Sequence, residues 1–360
     1  MRGTVVTASI QVERTKSPRQ KPRDAELGFG RHFADHMFVA DYAPGEGWTS
    51  ARVVPYASFS LEPAAMVFHY GQAMFEGLKA YRQRDGQVAL FRVDRHCQRM
   101  AEGAPRVSIP PPDPDFLQSG IMTLIATDRD WVPAPRGTAL YVRPTLIATQ
   151  PLLGVRPSET YLLFVITSPV GTYYAGGLKP VRIWVERQRV RAARGGMGAV
   201  KAAGNYAGSL LVAEQAREKG CDQVLWLDAA ERRFVEEVGT MNLFLVIGDE
   251  ILTPPLEGSI LAGVTRDSVI TLARDWGLTV AERRVGLDEI EAAHRDGRLK
   301  EVFGTGTAAV IQSVGTLVHD NGELVIGGGG TGPLAQRFYD AITRVQYGED
   351  PDPHGWRTIV

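Results

Sequence analysis

The chain has 360 residues, 44% of them hydrophobic and 22% charged, with 40 Lys and Arg against 41 Asp and Glu. That length suits two domains with separate cores, and the balanced charge leaves no global field to attract nucleic acid or anionic lipid. Two distant cysteines, Cys97 and Cys221, without a CxxC pair argue against a disulfide framework or structural zinc, and no apolar run approaches the roughly 18 residues of a membrane helix, so a soluble, cytoplasmic protein is expected.

The first 24 residues hold Arg2, Arg14, Lys16, Arg19, Lys21 and Arg23 without an apolar core, which reads as a flexible tail rather than a secretory signal. His32 and His36 have the spacing of two zinc ligands on a helix, but the intervening Phe-Ala-Asp lacks a glutamate base and no third ligand stands out, so no metal is expected. Short β-rich runs lie at 51–56, 161–166, 181–185, 224–227 and 242–247. Helical patterns cover 117–128, 206–219 closed by Gly220, 265–276 closed by Gly277, and 333–346. Strands and helices do not alternate as in a βαβ barrel, so an α+β arrangement in two lobes is predicted. The joint is SPVGTYYAGGLKP at 168–180, where Gly and Pro surround Tyr173 and Tyr174.

Several segments carry chemistry. Lys201, in KAAGNYAG, stands before a glycine-bearing turn, although a lysine is ordinarily a solvated charge. Three segments suit an anion: Gly263, Val264 and Thr265 at a helix start, the Gly304–Ala308 turn of FGTGTAAVI, and Arg99 of DRHCQRM as countercharge. Glu237, in VEEVGTMN, would hold a heterocyclic nitrogen protonated if it faced one. A lysine near a phosphate site, a carboxylate for a ring nitrogen and a tyrosine for a ring hydroxyl are what pyridoxal phosphate requires. A literal GxGxxG at Gly327, Gly329 and Gly332 has too little chain after it for a dinucleotide fold and reads as a turn. There is no GxSxG elbow.

Taken together, HYGQAMFEGLKAYR, ALYVRPT, LGVRPS, VKAAGNYAGSLLVAEQAREKGCDQVLWLD, VEEVGTMNLF, LAGVTRDS and GTGTAAVI resemble the branched-chain amino acid aminotransferases of the fold-type IV pyridoxal phosphate enzymes, from about Gly28 to the HGW at 354–356. The resemblance implies a smaller N-terminal domain (1–170, with 1–24 a tail), an interdomain loop (171–181) and a larger C-terminal domain (182–360), with the cofactor between them. It implies that Lys201 is the Schiff-base lysine and proton shuttle, that Tyr206 bonds the ring hydroxyl and Glu237 the pyridinium nitrogen, and that Arg99, Thr307 and the backbone of Val264 and Thr265 hold the phosphate. The substrate carboxylate would meet the backbone at Thr307 and Ala308 with Tyr141, and Arg143 would receive the distal carboxylate of glutamate. Phe29, Tyr70, Phe75, Tyr173 and Thr240 would line the side-chain pocket, with Tyr70 and the Val155 loop crossing from the partner subunit of a homodimer.

The implied reaction is reversible amino transfer from leucine, isoleucine or valine to 2-oxoglutarate by a ping-pong cycle. D-Amino acid transaminases and aminodeoxychorismate lyases share the fold type, but the YVRPT and FEGLKAYR motifs favour the branched-chain enzymes. From another class, a nucleotide-binding module built on Gly327 would be a colourless protein. Two departures stand out: GTAAVIQSVGT lacks the redox CxxC of mammalian relatives, and Gln312 and Ser313 replace the Thr-Pro turn of many bacterial ones.

Overall fold

Short runs rich in Val, Leu, Ile and Phe pair into two sheets in the computed structural model, which describes residues 10–172 and 178–360. Tyr173 and Tyr174 therefore lie outside the described residues. The chain divides into unit 1, Met1–Tyr173 with Val345–Val360, and unit 2, Tyr174–Arg344.

Unit 1 carries β1 (Gln11–Val12), β2 (His36–Ala43), β3 (Gly47–Pro55), β4 (Ala73–Phe75), β5 (Leu78–Arg82), β6 (Val88–Phe91), β7 (Ala139–Ala148) and β8 (Tyr161–Val170), with α1 (Met66–Tyr70), α2 (Val93–Gly103) and α3 (Pro114–Thr127). Unit 2 carries β9 (Val181–Glu186), β10 (Gln223–Leu227), β11 (Val235–Val238), β12 (Met241–Ile247), β13 (Glu250–Thr253), β14 (Thr279–Glu282), β15 (Leu299–Gly306), β16 (Val310–His319) and β17 (Gly322–Val325). Its helices are α4 (Ala203–Ala207), α5 (Leu210–Glu218), α6 (Val264–Asp275), α7 (Leu287–Arg295) and α8 (Pro333–Gln346). Beyond α8 the chain returns to unit 1, where β18 (Arg357–Ile359) pairs antiparallel with β6.

The first sheet runs β1-β3-β2-β8-β7-β5-β6-β18, with β4 also on β7. Asp113 caps α3 by accepting from the N–H groups of Asp115 and Phe116. The helix then packs on β2, where Gly120 makes room for the Phe38 ring: an added Cβ would come within 2.7 Å of it. Along β7, Leu140, Val142 and Leu146 are buried while Tyr141 and Arg143 share the opposite, half-buried face, as the two-residue period of a strand requires.

In unit 2 the order is β11-β10-β9-β16-β15-β12-β13-β14. Trp184, Val224 and Trp226 pack with Val212 and Ala216 of α5 on one face. On the other, Val185, Leu225 and Leu227 join Leu287 and Ile290 of α7. Burial on both faces explains why these strands read as continuous apolar runs.

Three sequence expectations change. The helix predicted over 206–219 is broken, because Ser209 turns both its N–H and its hydroxyl to the carbonyl of Tyr206, at 3.1 and 2.8 Å, and closes a tight turn between α4 and α5. Residues 11–24, expected as a loose tail, are tied to unit 1: β1 pairs with β3, and Thr15 N–H donates to His36 Nε2 at 2.9 Å. Residues 345–360, grouped by the sequence reading with 182–360, pack instead with unit 1, since β18 completes its sheet edge.

Candidate active site

Lys201 closes a series of turns just ahead of α4. Asn205 Nδ2 donates to the carbonyls of Met197 and Val200, both at 2.8 Å, and so fastens the loop to the helix. The lysine is half-buried, and its Nζ donates to Tyr206 Oη at 2.8 Å. This is a placed amine, not a solvated one.

Glu237, on β11, is 3% exposed. Arg191 Nη2 lies 2.5 Å from its Oε2, and Asn242 Nδ2 donates to its Oε1 at 3.2 Å while also reaching Leu261 O. Burial pushes the Glu237 carboxyl up to about 7, with Arg191 and Lys201 pulling down and Glu236 pushing up. A carboxylate in that condition gains from a cationic neighbour. Glu237, Tyr206 and Thr240 line one recess with Arg191 and Leu261.

The start of α6 has no side-chain cap. Its N-cap is Gly263, and a Cβ there would stand 1.8 Å from Asn242 Oδ1, so no capping side chain fits. Val264 and Thr265 follow, each 7% exposed, at the end of the helix where N–H groups and dipole favour an anion. Thr307 and Ala308 form the turn between β15 and β16, next to Thr305, whose buried Oγ1 has no hydrogen-bond partner. Gln312 and Ser313 are not in a turn; both are buried in β16, and Gln312 Nε2 donates to Lys179 O at 2.9 Å.

In unit 1, Arg99 on α2 grips Glu76 with Nε on Oε1 at 2.7 Å and Nη2 on Oε2 at 2.8 Å, and His96 Nδ1 lies 2.9 Å from the same Oε2. Burial alone would raise the Glu76 carboxyl, but Arg99 and His96 reverse this and hold it well below the usual carboxylate range. The guanidinium is thereby oriented. Tyr141 and Arg143 sit together on β7: Arg143 Nη2 donates to Tyr141 Oη at 2.9 Å, its guanidinium carbon lies 4.6 Å from the Phe75 ring centre, and its buried Nε has no partner. Phe29 meets Tyr141 edge to face at 5.0 Å. Tyr70 and Val155 are exposed, at 41% and 92%.

The other sequence candidates resolve differently. Residues 32–36 are not helical; His36 Nδ1 lies 2.6 Å from Asp128, and His32 Nε2 lies 3.1 Å from Glu26 O. The glycine run forms a short 3₁₀ turn, and the first N–H groups of α8 are already taken, since Leu334 and Ala335 donate to the Glu301 carboxylate at 2.9 Å. Sequence reasoning missed Arg191, Asn205, Asn242, Glu76 and His96. Glu76 left a signal, a carboxylate inside the apolar run AMFEGL, which must be paired if buried.

An uncapped helix start, an orphaned threonine hydroxyl, a placed amine and a carboxyl near neutrality suit an anionic ligand that carries a basic ring. The family described as Amino-transferase class IV matches residues 73–316. The chain is 51% identical over 352 residues to branched-chain-amino-acid aminotransferase 2 of Bacillus subtilis (strain 168), covering 98% of this chain and 97% of that one. It is 48% identical over 357 residues to the probable branched-chain-amino-acid aminotransferase of Streptomyces coelicolor, covering 98% and 99%. Among solved structures, the branched-chain amino acid aminotransferase from Escherichia coli superposes with a TM-score of 0.71 at 27% identity, covering 90% of this chain and 98% of that one. The T.th. branched-chain amino acid aminotransferase complexed with N-(5'-phosphopyridoxyl)-L-glutamate gives 0.72 at 27% identity, covering 89% and 97%.

Proposed function

We propose a function from one premise: the chain belongs to the amino-transferase class IV family. It is a pyridoxal 5′-phosphate-dependent branched-chain amino acid aminotransferase, transferring the amino group of leucine, isoleucine or valine reversibly to 2-oxoglutarate in a ping-pong cycle. The grouping of Lys201, Tyr206 and Glu237 within unit 2 carries this reading, because each side chain answers a different atom of that cofactor.

Lys201 would hold the cofactor covalently, Tyr206 would bond its ring hydroxyl and Glu237 its ring nitrogen. Arg99, Thr307 and the N–H groups of Val264 and Thr265 would hold the phosphate, which the uncapped start of α6 suits. When bound, the cofactor supplies an electron sink for the pair left on the substrate Cα. Lys201 Nζ removes the proton from Cα, and Tyr206 Oη, at 2.8 Å, keeps the amine aimed between turnovers. The backbone at Thr307 and Ala308 meets the substrate carboxylate together with Tyr141. Phe29, Phe75 and Thr240 would cover an aliphatic side chain, and Arg143, with a buried Nε still to be satisfied, would take the distal carboxylate of glutamate.

The assembly is a homodimer in which Tyr70 and the Val155 loop of one copy complete the pocket of the other. Their exposure in the single chain supports this, as does Leu153 at 70%. No helix among the described residues is long and apolar enough to cross a membrane, and we place the enzyme in the cytoplasm.

The test is an absorbance spectrum of the purified protein before and after L-leucine, with no oxo acid added. A visible band that gives way to a near-ultraviolet one is expected, and Lys201→Ala should abolish turnover while leaving the fold intact. A colourless protein even after addition of pyridoxal phosphate, or strong activity on D-alanine with none on L-leucine, would overturn the reading.

A further inference from the structure

Two consecutive carboxylates on β11 are buried, Glu236 at 7% and Glu237 at 3% exposure. Burial leads in pushing both above the ordinary carboxylate value, and Arg191 opposes the rise in each. Its side chain is itself only 10% exposed. One Nη2 reaches Glu237 Oε2 at 2.5 Å and Ser259 O at 2.5 Å, and Ser259 Oγ in turn donates to Glu236 Oε1 at 2.5 Å. Ser259 thus links the guanidinium to the second carboxylate. The loop is close-packed here: a Cβ on Gly198 would lie 2.1 Å from Ser259 O.

We propose that Arg191 is a positioning residue that keeps Glu237 anionic and fixed, so that the one proton shared between this carboxylate and a heterocyclic ring nitrogen rests on the nitrogen, with Ser259 and Glu236 as its brace. The inference rests on the reading of Glu237 given above. In a contact between a buried carboxylate and an aromatic nitrogen, the proton stays with the stronger base. Removing Arg191 makes the carboxylate the stronger base, and an uncharged ring is the poorer electron sink. Lys201 also lowers Glu237, but its amine changes protonation during turnover and cannot be a constant countercharge. An arginine stays charged throughout.

The experiment reconstitutes cofactor-free protein with ¹⁵N-labelled pyridoxal phosphate and reads the ring-nitrogen resonance, alongside kcat and KM for L-leucine. Wild type should show a protonated ring. Arg191→Met should move the resonance toward the unprotonated position and lower kcat about tenfold or more, since each unit of pKa is a factor of ten in proton placement, with KM little changed. Arg191→Lys should restore most of both. Glu237→Gln should give the unprotonated signal, and adding Arg191→Met to it should do nothing further, as expected for two residues acting as one unit. A wild-type resonance in Arg191→Met beside an unprotonated one in Glu237→Gln would overturn the role of Arg191. A protonated ring in Glu237→Gln would instead overturn the role of Glu237. If Arg191→Met does not fold, Ser259→Ala decides: a partial shift supports the brace, and an unchanged signal refutes it.

Discussion

Glu237 connects the chemistry of the site to the stability of the fold. Burial raises its carboxyl to about 7 in the folded protein, against about 4.3 in an unfolded chain. Below the unfolded value both states hold the proton, and its contribution to stability is fully present. Between about pH 4 and 7 the unfolded chain has released a proton that the folded one keeps, so stability falls as pH rises, by about 4 kcal/mol in all. Glu76 has the opposite sign, since Arg99 and His96 hold it low and its contribution is lost as pH falls. Urea denaturation of cofactor-free wild type and Glu237→Gln across this range should show the variant losing less stability toward pH 8; parallel curves would contradict the raised value. Lys201, Tyr206 and Glu237 could be picked out as candidates because each sits in a motif that resembles a family's, and the structure brings Lys201 against Tyr206 and near Glu237. Arg191 was not legible: it lies just past the end of β9 and meets Glu237 of β11 only because β9 and β11 pair with β10 from its two sides.

Periodicity and caps made the elements more legible than their joints. Helix α8 covers the predicted 333–346, and α6 starts one residue before the predicted 265, because each has a Gly or Pro boundary and an apolar stripe. The break between α4 and α5 escaped, since a serine that bonds back to a carbonyl has no pattern distinct from one on a helix surface. Strand β5 escaped as well, although it lies directly beside Tyr141. It pairs with β7 so that Lys79 faces Tyr141, and just before it a Cβ on Gly77 would stand 2.0 Å from Tyr141 Oη. The requirement there is for space rather than for an unusual backbone. Gly77→Ala should displace the tyrosine, break its bond to Arg143, and cost about 1–3 kcal/mol of stability. In steady-state kinetics KM for 2-oxoglutarate should rise about tenfold, the equivalent of one lost hydrogen bond to a charged group, with a smaller rise for leucine. Equal changes for both substrates would count against Arg143 as the donor to the second carboxylate.

At the scale of the whole molecule, unit 1 is built from both ends of the sequence. No local pattern announces that return; it depends on which exposed edge β18 finds, and β6 supplies it. Trp356, 6% exposed, packs edge to face on Phe91 at 5.7 Å, and the Asp352 carboxylate accepts from the N–H groups of Trp356 and Arg357 at 2.9 and 2.7 Å. Deleting residues 352–360 should therefore destabilise unit 1 by at least the 3–5 kcal/mol that loss of a buried tryptophan costs. Thermal melts should show unit 1 unfolding first, and an unchanged melting curve would deny the tail a structural role. The same interleaving sets an order of events on the ribosome. Every residue of unit 2 has been synthesised before the last strand of unit 1 exists, so the unit begun second is the first able to close its sheet, while the unit begun first waits with the β6 edge unpaired until translation reaches Ile359.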